Sequence, residues 1–171
     1  MSAFQRRFLG LCLPPLLVCL LDNVLTLLGQ PAGFWQGNID LVNEASPTFH
    51  QLLAIHPLAF IAGGLIWVAV FVGFILLVPD TLALIASIAV TFGHTAGAAT
   101  WLIWRFEYGY QACNGLFLLS ALLLGLGIRH GWQARPSEEF PLRILPPVGR
   151  WLLAAALLAV AVYLFLWPRM P

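Results

Sequence analysis

A chain of 171 residues that is 61% hydrophobic and only 9% charged, with a mean hydropathy of +0.91, lies far from the roughly 25% charged residues of a soluble domain and reads as an integral membrane protein. Net charge is +1, lysine is absent, and the eight arginines form no cluster that could follow a phosphate backbone, so nucleic acid is excluded and the lipid bilayer is the expected partner. Cys12, Cys19 and Cys113 show no C-x-x-C or metal-finger spacing and read as small buried hydrophobes.

Arg6-Arg7 followed by an apolar run superficially resembles a secretory signal. Pro14-Pro15 and Asp22-Asn23 interrupt that run, and no small-x-small cleavage site follows, so it is expected to be retained as a helix. Apolar runs at 8–28, 58–78, 81–104, 112–128 and 151–167 are long and lack period-2 alternation. They predict an all-α single domain, a bundle of five transmembrane helices, because in lipid only helices or closed barrels satisfy their own backbone. Pro79-Asp80 forces a tight turn that makes the second and third spans antiparallel neighbours.

The longest connection, an outer segment over 29–57, carries Phe34, Trp35, Leu41, Val42, Phe49, Leu52 and Leu53 and is expected to fold back on the bundle or lie in the interface. Ser46-Pro47 is a helix-start signal, after which Phe49, Leu52, Leu53 and His56 share one face, directing His56 toward protein or lipid. The proline-rich stretch from 130 to 147 reads as a solvated loop.

With the N-terminus in the cytoplasm, Arg6, Arg7, Arg129, Arg135, Arg143 and Arg150 lie inside, and Arg105 and Arg169 outside. The C-terminus is then periplasmic, and the location a bacterial inner membrane crossed several times. Trp35, Trp101, Trp104, Tyr108, Tyr110 and Trp167 fall near the outer boundary, and Trp132 and Trp151 near the inner one. Arg105 and Glu107 read as an interfacial ion pair or as headgroup contacts.

Depth arithmetic isolates the candidate site. Asp22 and His94 lie 14 and 13 residues into helices that start inside, so both rise about 20 Å across a core of about 30 Å. His56 precedes the second span, and Glu44 sits in the outer segment, which by folding inward would deliver it to Asp22 and His94. Ionisable groups at such depth are costly and face a partner, cavity or ligand. Asn23 and Thr26 support Asp22, and Asn43 adjoins Glu44. Ser87, Thr91, His94 and Thr95 form a polar stripe on the third span, and Gly93 and Gly97 admit a close helix neighbour.

Three chemistries fit these residue types. Asp22, Glu44, His56 and His94 supply the imidazole and carboxylate ligands of a divalent metal such as zinc, with one open position for a metal-dependent hydrolysis. A b-type haem held by His56 and His94 is a second reading. Alternatively, these groups satisfy one another and fix helix packing.

Asp22-Asn23-Val24-Leu25-Thr26 and Asn43-Glu44-Ala45-Ser46-Pro47 resemble small bacterial polytopic membrane proteins of unknown function, which carry Asp-x-x-x-Thr in the first helix and Asn-Glu-x-Asn-Pro in the segment after it. The likeness covers the first third of the chain and departs at Ser46, where that pattern has Asn. It implies that Asp22, Thr26, Asn43 and Glu44 belong to one site and carries no reaction. Small size and small-residue helix faces favour an accessory or assembly subunit of a larger membrane complex. The polar constellation favours an intramembrane metal-binding protein or enzyme, and a transporter would need to oligomerise.

Overall fold

The computed structural model describes residues 3–132 and 146–166, and their regular structure is helical throughout. The first membrane-length helix is built from α1 (Ala3–Arg7), a π-helical turn (Phe8–Cys12) and α2 (Leu13–Leu28). Pro14 and Pro15 lack backbone N–H groups and would crowd the carbonyls one turn back. The widened turn before them, in which Leu13 N–H donates to Phe8 O, absorbs that conflict and lets the helix continue. It therefore begins earlier than the 8–28 expected from hydropathy.

The connecting segment holds α3 (Ala32–Trp35), a 3-10 turn (Ile39–Leu41) and α4 (Pro47–Ile55). Then come α5 (Pro57–Leu77), α6 (Asp80–Trp104), α7 (Gly109–Trp132) and α8 (Pro147–Leu166). Four stretches, Phe4–Leu28, Pro57–Leu77, Asp80–Trp104 and Gly109–His130, are long and apolar enough to cross a membrane. They leave large apolar side chains such as Leu65, Phe92 and Leu118 exposed, as lipid-facing surfaces require. The apolar stretch Pro147–Tyr163 of α8 is shorter. Most of the expected 130–147 loop, together with Arg135, Arg143, Trp167 and Arg169, lies outside the described residues.

Arg7 ties the start of the chain to the α5–α6 turn. Its Nε and Nη2 donate to the Ile75 carbonyl at 3.2 and 2.7 Å, Nη2 also donates to the Val78 carbonyl, and Nη1 lies 2.9 Å from Asp80 Oδ1. The last carbonyls of a helix have no partner of their own, so a cation there serves as both cap and dipole partner. The sequence alone puts Arg7 on the cytoplasmic side in the arginine count and assigns it no such role.

Residues of the first helix, α5, α6 and α8, among them Leu11, Phe71, Ile75, Ala83 and Ala154, pack into the main core. Phe34, Val42, Leu53 and Phe60 form a second cluster that binds the connecting segment to α5, so this segment does fold back on the bundle. At the α6–α7 turn Glu107 takes φ 54° and Gly109 φ 75°, the left-handed region that reverses the chain. The expected Arg105–Glu107 pair does not form. Arg105 Nε donates instead to the Gly29 carbonyl at 2.8 Å, closing the end of α2, and among the described residues Arg7 and Asp80 form the arginine–carboxylate ion pair.

Candidate functional site

The α2–α6 interface carries the site. Gly97 occurs where α6 meets Asp22: a Cβ built there would lie 2.8 Å from Asp22 Oδ2, so glycine leaves the room in which the carboxylate sits. Gly64 of α5 plays the same part for Asn23, whose Nδ2 would lie 2.9 Å from an added Cβ. Two recesses in neighbouring helices thus accommodate the polar pair that α2 carries on its apolar surface. Gly93 has open space around it, because it faces the cavity rather than a helix.

Asp22 Oδ2 lies 2.8 Å from His94 Nδ1, and Trp67 Nε1 donates to His94 Nε2 at 2.9 Å. Indole is a donor only, so Nε2 must be the acceptor and the proton of the neutral imidazole resides on Nδ1, from which it is donated to Asp22. The Asp22 and His94 side chains remain 17% and 18% exposed. They are enclosed by protein yet open to a cavity of about 650 Å³.

That cavity is lined from α2 by Asp22, Asn23 and Thr26, from the connecting segment by residues 43–46, and from α6 by Gly93, His94 and Gly97. Phe49, Phe60, Trp67, Trp101 and Trp104 form aromatic walls, and Arg105 and Thr100 complete the rim. Asp22, Thr26, Asn43 and Glu44, the four positions grouped by the resemblance, all contribute.

Gln30 holds the segment that delivers Glu44. Only 2% exposed, it donates through Nε2 to the carbonyls of Thr26 (2.9 Å) and Asn43 (2.8 Å) and accepts from Asn43 N–H through Oε1 at 2.9 Å. Glu44 Oε1 in turn accepts from Ser46 N–H at 2.7 Å, closing a tight turn just before α4, while the Ser46 side chain, expected to cap that helix, makes no capping bond. Burial pushes the Glu44 carboxyl above its ordinary range; the Ser46 N–H opposes this, and the charge of Asp22 adds to it.

His56 is not brought to the site. It is exposed at the α4–α5 junction, where Nδ1 accepts from Leu58 N–H at 3.1 Å as the N-cap of α5. The α4 face of Phe49, Leu52 and Leu53 ends in an extended residue, which turns His56 off the stripe expected to carry it. A bis-histidine haem would draw on His56 and His94, and only His94 lines the cavity. Among the described residues no group of three or more His, Cys, Asp or Glu side chains is arranged to hold a metal ion.

Thr91 and Thr95 also lie off the cavity. Thr95 donates to the Thr91 carbonyl at 2.7 Å and pairs with the Ser120 hydroxyl of α7 at 2.9 Å, and the Ser87 and Thr91 hydroxyls are buried without a hydrogen-bond partner among the described residues. The polar stripe therefore splits: His94 turns to α2 and α5, while Thr95 turns to α7. His50 is exposed, with Nδ1 3.3 Å from the Glu44 carbonyl.

Sequence reasoning missed Trp67, Gln30 and Arg105 as parts of the site. For Trp67 a signal existed, since it stands in the middle of a span and an indole N–H in hydrocarbon needs an acceptor. Gln30 follows the end of α2 and resembles any solvated residue beyond a helix.

Comparison with protein-family models, with curated proteins and with solved structures finds no match to this chain.

Proposed function

We propose that this protein crosses a bacterial inner membrane five times with its N-terminus in the cytoplasm, and that, alone or within a larger membrane assembly, it holds an amphiphile whose polar head carries an ammonium group. The observation that carries this reading is the lining of a single cavity by Asp22, Glu44 and a set of aromatic faces that includes Trp67, Trp101 and Trp104. Carboxylates with aromatic rings form the environment that attracts an ammonium ion through both its charge and the ring quadrupoles. Arg105 on the rim suits an anionic group on the same ligand, as in a zwitterionic headgroup. Apolar walls beside such polar anchors are the usual composition of a small-molecule site.

The test uses tryptophan fluorescence of the purified protein in detergent, titrated with octylammonium, octanol and octanesulfonate. Octylammonium should saturate the signal at a concentration about tenfold below the other two, the ratio for roughly 1.4 kcal/mol of charge recognition. Equal response to all three would overturn the reading.

A second reading keeps the metal. Asp22, Glu44 and His94, three of the four expected ligands, line the same cavity, which favours it, although in this conformation they are not drawn together as a ligand set. His94 would have to release Trp67 or Asp22 to offer a lone pair. Elemental analysis of protein purified without chelator, showing stoichiometric zinc lost in Asp22→Asn, would support it over the amphiphile.

A further inference from the structure

A second cleft lies toward the opposite end of the first helix, between its start and the end of α7. Gly127 of α7 lies against the backbone of Gly10: an added Cβ would sit 2.3 Å from Gly10 O and 2.8 Å from Pro14 Cγ. The two helices are therefore in van der Waals contact at this point. Beside the contact opens a cleft of about 520 Å³, walled by Leu9, Leu13, Leu17, Leu123 and Leu126. Its mouth is formed by Arg129 and His130, both exposed in the last turn of α7. Neither side chain makes a hydrogen bond or ion pair with another described residue. Arg6, half-buried one turn before Leu9, has an Nε with no hydrogen-bond partner among the described residues. Asp80, the acidic residue of the nearby α5–α6 turn, is already taken by Arg7.

An apolar cleft between long apolar helices, closed at one end by positive charge that no described residue compensates, matches one occupant in both of its parts. We infer that this cleft is a binding site for a phospholipid with an anionic headgroup, its acyl chain lying along the leucines and its phosphate on Arg129 and His130. Leucine walls alone would take any acyl chain, and the guanidinium is what selects the headgroup. The site is independent of the Asp22–His94 cavity, since the two share no lining residue.

The experiment is native mass spectrometry of the detergent-purified protein with phosphatidylglycerol and phosphatidylcholine of identical acyl chains. One phosphatidylglycerol should bind about fivefold more tightly than phosphatidylcholine, the increment expected per basic residue at a membrane surface. The double substitution Arg129→Gln with His130→Gln, both at exposed positions, should reduce the preference to less than about twofold. Leu126→Trp, which fills the cleft and keeps the charges, should lose binding of both lipids, whereas Asp22→Asn should change neither. Equal binding of the two lipids by the native chain, or an anionic preference that survives the double substitution, would overturn the assignment.

Discussion

Trp67 fixes the protonation geometry of His94: its indole N–H occupies Nε2 at 2.9 Å, and the single remaining imidazole proton is thereby directed at Asp22. With the indole donating to Nε2, Nδ1 is the ring nitrogen that donates to Asp22. Nitrogen-15 NMR of histidine-labelled protein should show this tautomer for His94. Trp67→Phe removes the indole donor and should give a mixture of tautomers, with a loss of about 1 kcal/mol in stability, the scale of interhelical hydrogen bonds in membranes.

Gly97 and Gly93 form a matched pair for testing helix approach. Gly97→Ala drives a methyl group into Asp22, and the α2–α6 contact should weaken by about 1–3 kcal/mol, as for overpacking elsewhere. Gly93→Ala, with nothing within 4 Å of its added methyl, should leave stability within about 0.5 kcal/mol of the native value. Unfolding of both variants in mixed micelles reads the difference directly.

Arg7→Gln should be the most damaging of the charge substitutions. It removes the cap on the Ile75 and Val78 carbonyls as well as the partner of Asp80. A loss of about 3 kcal/mol is expected, because buried acceptors are left unsatisfied. Asp80→Asn should cost less than about 1 kcal/mol, since the Asp80 side chain is 42% exposed and its charge is screened by solvent.

Glu44 sets a pH dependence of definite sign. Burial, aided by the charge of Asp22, raises its folded-state pKa above the unfolded value, against the pull of the Ser46 N–H. The native chain therefore holds the Glu44 proton more tightly than the unfolded one. Its contribution is fully present below the ordinary carboxylate range and is lost as pH rises through the raised folded-state value. Melting temperature measured across the acid range should fall over that window in the native protein, and Glu44→Gln should flatten the fall.

The meeting of Asp22 with His94 is legible in the sequence because it depends on one quantity, residues counted from a helix start, and a helix converts that count to depth with little error. Delivery of Glu44 follows from the apolar content of the connecting segment, whose Phe34, Val42 and Leu53 bury against Phe60. The position of His56 depends instead on a local competition. Its face on α4 points inward, but Pro57 starts a new helix, and the ring is drawn off to cap Leu58 N–H. The stripe of Ser87, Thr91, His94 and Thr95 is likewise correct as a face of α6, yet that face is shared by three neighbouring helices, and periodicity does not say which residue meets which. Trp67 meets His94 across 27 residues and Gln30 holds Asn43 through two bonds across 13, and neither partner carries a local mark of the other.

Octylammonium affinity measured in a double-substitution cycle tests the proposed ammonium site most directly. Asp22→Asn and Glu44→Gln should each weaken binding by about tenfold, as expected when one charge contact is removed, and the double variant should lose less than the product, because both carboxyl groups face one ligand. Unchanged affinity in both single variants, with the native fold retained, would contradict the assignment of this cavity.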